Sequence, residues 1–152
     1  MSIDDARKAI DLITENEDAD FVGPIAHELI SDAQTMLGIT FPPSFILFLE
    51  ELGCGDVGGL EFYGIVSDDL TVSGEPNAIW LTLEERKSGL PHSHVIVSST
   101  GDGSYFSIDT SERDKKGESP VMIVGPTGNL TRQSDSFGAF LLNEIRLQTH
   151  NQ

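Results

Sequence analysis

The chain has 152 residues, 38% of them hydrophobic, and a formal charge of −16 from 25 Asp/Glu against 9 Lys/Arg. That length supports one compact domain (residues 1–152) with its own core and no need of covalent staples, and the acidity argues against nucleic acid or an anionic membrane as partner, since both would be repelled. The single cysteine, Cys54, excludes an intramolecular disulfide and suits a reducing cytoplasm.

The first residues, Met1-Ser2-Ile3-Asp4-Asp5, lack the basic and then apolar order of a signal peptide, and the longest strongly apolar run is Phe45–Leu49. Neither secretion by that route nor a membrane span is expected. Ile3, Ala6, Ile10 and Ile13 recur at helical spacing and predict an amphipathic helix over 3–15, with Ser2 and Asp5 as a capping box. A linker containing Glu17-Asp18-Ala19-Asp20 follows. Pro24 then fits the first turn of a second helix, whose stripe Leu29, Ile30, Ala33, Met36, Leu37 stops at Gly38. Two prolines, Pro42 and Pro43, precede a third helix carrying Phe45, Phe48, Leu49 and Leu52 and ending at Gly53; its consecutive apolar residues make it the expected centre of the core.

From residue 60 the period changes to that of strands. Leu60–Ile65, Ala78–Leu81, Val95–Ser98, Tyr105–Ile108 and Val121–Val124 are short, rich in β-branched and aromatic residues, and separated by Gly, Asp, Ser and Pro. Thr82 and Glu85 suggest a capping box opening a short helix that ends near Gly89-Leu90-Pro91. Phe137, Phe140, Leu141, Ile145 and Leu147 predict a C-terminal helix begun near Ser134 or Asp135. The expected fold is α+β: a largely antiparallel sheet of about five or six strands packed with N-terminal and C-terminal helices, because the tight strand spacing leaves little room for βαβ crossovers.

The charge is not evenly spread. No Lys or Arg occurs between Lys8 and Arg86, where sixteen carboxylates run from Asp11 to Glu85; the other nine Asp/Glu are balanced by all nine Lys/Arg. Clustered charge of one sign accelerates encounter with the opposite sign, so a basic partner is expected, although acidity also serves solubility. The strand-and-loop stretch that combines carboxylates with Tyr63 and no cation contains Asp56, Glu61, Tyr63, Asp68, Asp69 and Glu75, the candidate partner-binding residues.

Catalytic and cofactor motifs fare worse. Gly53-Cys54-Gly55-Asp56-Val57-Gly58 matches G-x-G-x-x-G, but a helix precedes it, a strand follows, and Asp56 would repel a phosphate, so a glycine-rich turn explains it better. Cys54 has no evident neighbouring cation to stabilise a thiolate. His92 and His94 form an H-x-H pair, expected on a loop or sheet rim, that lacks a third metal ligand; His27 and His150 cannot be placed beside it from sequence. Gly101-Asp102-Gly103-Ser104 has the composition of a hairpin turn rather than of a Ca²⁺ loop. No spacing isolates an acid–base pair of carboxylates, and no G-x-S-x-G elbow is present. No catalytic residue, metal or cofactor is therefore expected.

The run Leu37-Gly38-Ile39-Thr40-Phe41-Pro42-Pro43-Ser44-Phe45, continued by Phe48-Leu49-Glu50-Glu51-Leu52-Gly53-Cys54-Gly55, resembles the SUKH superfamily of Smi/Knr-type domains. Phe62-Tyr63-Gly64-Ile65, Gly89-Leu90-Pro91, Gly101–Asp109 and Ser136–Leu141 match in order, so the resemblance covers roughly residues 24–142. Gly53-Cys54-Gly55 departs from the frequent Asn-Gly-Gly of these proteins. The resemblance implies a non-catalytic α+β binding module, similar to YobK-type bacterial immunity proteins. It further implies an antitoxin that neutralises a basic toxin domain encoded by a neighbouring gene, specifically a nuclease of an LXG-type toxin. The alternative it leaves is a regulatory protein-interaction scaffold for an endogenous enzyme.

Overall fold

A computed structural model describes residues 2–150; the rest of the expected domain, residues 1, 151 and 152, lies outside the described residues. The elements in chain order are α1 (Ser2–Thr14), β1 (Ala19–Phe21), α2 (His27–Leu37), α3 (Pro43–Glu51), β2 (Gly55–Val57) and β3 (Leu60–Phe62), then α4 (Ala78–Arg86), β4 (His94–Ser99), β5 (Tyr105–Asp109), β6 (Val121–Val124), β7 (Leu130–Ser134) and α5 (Phe137–His150). The strands form two antiparallel sheets, ordered β1-β2-β3 and β4-β5-β6-β7. The α+β architecture is as expected, with the strands divided between two sheets instead of one. The sheets abut where Tyr63 N–H donates to the Val97 carbonyl at 2.8 Å and Ser98 Oγ donates to the Glu61 carbonyl at 2.6 Å.

The helices follow their apolar stripes. α1 buries Ala6, Ala9, Ile10 and Ile13 and packs along α5. The two approach so closely at their N-terminal ends that a Cβ on Gly138 would stand 2.0 Å from the Ser2 carbonyl oxygen. α2 stops at Gly38, which takes φ 68° and donates to the Gln34 and Thr35 carbonyls; only glycine adopts that left-handed cap without strain. α3 supplies the centre of the core: the Phe45 and Phe48 rings lie 5.0 and 5.5 Å from Phe137 of α5 in edge-on geometry, and Phe62 of β3 stands 6.4 Å from both Phe48 and Phe140. Among the described residues, no helix is long and apolar enough to cross a membrane.

Several local expectations are corrected. Ala78–Leu81 is helix, not strand: Asn77 caps it by accepting from the backbone N–H groups of Ile79 and Trp80, and the buried positions 78, 79, 81 and 82 follow the helical period. Thr82 consequently opens no helix; its hydroxyl lies inside α4 and accepts from Ile96 N–H at 3.0 Å, tying α4 to β4. α2 begins at His27 rather than beside Pro24. Ser2 is the first residue of α1 instead of its cap, and its Oγ finds no hydrogen-bond partner among the described residues. Three strands arise where none was expected: β1 in the acidic linker, β2 within the glycine-rich segment, and β7, a polar edge strand. The hairpin turn at 101–104 joins β4 to β5 as expected.

Candidate partner-binding surface

The first sheet aligns three carboxylates. Its register sets Asp20 of β1 opposite Asp56 of β2, and Asp56 opposite Glu61 of β3, so the three side chains share one face. They help line a cavity of about 340 Å³ that Phe21, Val22 and Val66 make partly apolar. Val22 is 52% exposed beside them. Among the described residues the ion pairs are Arg7–Glu51, Lys87–Glu84, His94–Asp109 and Arg132 with Glu112 and Asp135, and the row enters none. Two arginines are engaged by backbone carbonyls. Arg86 donates to the carbonyls of Leu37 and His92, and Arg113 to those of Thr40 and Gly117.

The six sequence-derived candidates fall into three groups. Asp56 and Glu61 belong to the row. Asp68 and Asp69 are exposed on the 66–77 loop, where Asp69 accepts from the Thr71 backbone and hydroxyl, contacts that lower its pKa. Tyr63 is buried, 2% exposed, and reaches outward only through its hydroxyl, which donates to Glu75 at 3.0 Å. Burial, then the Glu75 charge, pushes the Tyr63 pKa up, so the phenol stays protonated and holds Glu75 in place. The loop is anchored by Asn77, whose amide donates to the carbonyls of Leu70 and Val72 at 3.0 and 2.8 Å. Glu61 also acts electrostatically on Tyr63, and Glu75 on Tyr105 of β5, so the carboxylates form a band running from the first sheet to the second.

Sequence reasoning missed Asp20, Tyr105 and Glu85, which extend that band. The alternation Ala19-Asp20-Phe21 was the available signal for β1, and Tyr105 alternates with Phe106 along β5.

One constellation has the residue types of a hydrolase triad without its access. His94 Nδ1 lies 2.6 Å from Ser107 Oγ, and its Nε2 lies 3.7 Å from Asp109 Oδ2. His94 is 1% exposed and Ser107 is fully buried, so no substrate reaches the hydroxyl. His94 therefore belongs to the sheet interior, not to a rim, while His92 sits exposed on the preceding turn. Burial lowers the His94 pKa against the opposing pull of Asp109. Burial pushes the Asp109 pKa up, but the hydrogen bonds it accepts from Ser111 and Ser93, together with the His94 charge, bring it below its ordinary value. Cys54 is buried, its thiol pushed up to about 11 by desolvation, and so is unreactive. Among the described residues, no three His, Cys, Asp or Glu side chains converge as a metal site requires.

The family model described as SMI1-KNR4 cell-wall (SUKH_5) matches residues 2–146. No curated protein matches the chain.

Proposed function

The chain belongs to the SMI1-KNR4 (SUKH) family, and from that premise we propose that it is a cytoplasmic immunity protein that binds and neutralises a basic toxin domain, a nuclease of an LXG-type toxin, encoded by a neighbouring gene. The observation that carries the reading is the in-register row Asp20–Asp56–Glu61, three like charges with no cation among the described ion pairs. Directly opposed like charges destabilise a sheet. A basic partner converts that cost into attraction, and its active site, built to hold polyanionic substrate, presents the complementary charge. The protein acts as a binding module and not as an enzyme, a reading supported by the sealed Ser107–His94–Asp109 cluster.

The test is co-expression in a bacterial host with the C-terminal domain encoded by the adjacent large gene. Growth rescue with a co-purifying complex is expected. Toxicity undiminished and no complex would overturn immunity by direct binding and move weight to a regulatory scaffold for an endogenous enzyme, a second reading favoured by the cell-wall wording of the family description.

A further inference from the structure

Beyond the carboxylate row, a second cleft opens between the C-terminal end of α4 and the face of the four-stranded sheet. It encloses about 260 Å³, and its walls include Glu85, Leu90, Ile96, Tyr105, Val124 and Pro126. Apolar side chains make part of its lining, with Leu90 and Val124 half-buried over the buried Ile96. Its carboxylate is Glu85 of α4, which acts electrostatically on the Tyr105 wall. Glu75 lies outside the lining on the 66–77 loop, held by the Tyr63 hydroxyl, and acts on Tyr105 from there. Burial first, then these two carboxylates, hold the Tyr105 pKa above its ordinary value. Neither carboxylate enters an ion pair among the described residues: Lys87 is taken by Glu84, and Arg86 by backbone carbonyls.

Size and charge together select an occupant. The volume falls below the roughly 300–1,000 Å³ of small-molecule sites, so a single side chain fits better than a cofactor. A guanidinium is planar, stacks on an aromatic ring, offers paired donors to carboxylates and loses less hydration than an ammonium. We propose that this cleft receives an arginine side chain of the toxin partner, its guanidinium against Tyr105 between Glu75 and Glu85 and its methylene stem along Ile96 and Val124. The inference deepens the immunity reading and rests on it for the identity of the partner. It divides the labour on the surface: the exposed row steers encounter, and the cleft slows departure.

The probe is a capped Gly-Arg-Arg-Gly peptide titrated into the isotopically labelled chain and followed by NMR, with the citrulline peptide as its neutral isostere. Saturable shifts confined to residues 85–91, 105 and 124–128 are expected. Binding should weaken at least about tenfold with citrulline, and likewise in the Glu75→Gln/Glu85→Gln variant. Equal binding of citrulline, shifts centred on Asp20, Asp56 and Glu61, or no saturable shift at the highest soluble concentration would each overturn the cleft assignment. Rescue in co-expression with a failed peptide titration removes the cleft alone. Peptide binding at the cleft without rescue removes the toxin and leaves an arginine-reading site.

Discussion

Asp56 is the middle member of the carboxylate row and meets a like charge on either side. Asp56→Asn keeps the acceptor that Gly59 N–H uses and removes both repulsions. Stability in urea melts should rise by about 0.2–1 kcal/mol, the scale of a cross-strand pair, while association with the toxin slows; a loss of stability would show that the charge is structurally required. His94 gives the opposite kind of signature. Its folded pKa lies below the ordinary 6.5, so between the two values the unfolded chain binds more protons than the folded one. Stability is then fully present above about pH 6.5 and declines as pH falls through that window. Urea midpoints should therefore drop on going from neutral pH to about pH 5.5. In His94→Asn, which keeps a polar atom near Ser107, that part of the slope should vanish whatever the variant's absolute stability; an unchanged slope would assign it to other groups.

The 66–77 loop depends on one side chain at the start of α4. Asn77 accepts from two helix N–H groups and donates to two loop carbonyls, so it is cap and loop anchor together. Aspartate caps as well as asparagine does. Asn77→Asp preserves the helix start but strips both donors and turns a carboxylate toward Leu70 and Val72 oxygens. The expected loss is about 1–3 kcal/mol, the cost of stranded buried polar groups, with faster amide exchange across 66–77; wild-type stability would show the anchoring bonds to be dispensable. The same residue explains why this region misled sequence reading. Ala78-Ile79-Trp80-Leu81 has strand-like composition, and its helical burial pattern becomes visible only once Asn77 is recognised as a cap. α1, α3 and α5 were legible because their apolar spacing and their stops are local signals. β1, β2 and β7 were not, because segments of three to five residues, polar in part, become strands through their pairing partners. The site divides likewise. Asp56 and Glu61 stood out as charge, but Asp20 joins them only through strand register, and Tyr105 and Glu85 meet Glu75 only through the packing of α4 on the second sheet.

Over the whole molecule, the acidic half keeps its field because no Lys or Arg lies in the chain between Lys8 and Arg86. Arg86 and Arg113 cap backbone carbonyls, and Arg7 pairs with Glu51 across α1 and α3. A field of this kind acts at a distance and is screened by salt over about 8 Å at physiological ionic strength, whereas a desolvated anchor is screened far less. Stopped-flow association with the toxin domain should accordingly be fast at low salt, on the order of 10⁸ M⁻¹s⁻¹ or above, and fall steeply as salt is added. Neutralising Asp20, Asp56, Glu61 and Asp68 together should flatten that salt dependence and leave dissociation nearly unchanged. Glu75→Gln/Glu85→Gln should do the reverse, speeding dissociation with a smaller effect on the association slope. If association is insensitive to salt in the wild-type chain, the charge asymmetry serves solubility, and complex formation rests on packing alone. If both variant sets change only association, the carboxylates from Asp20 to Glu85 act as one steering field without an anchoring cleft.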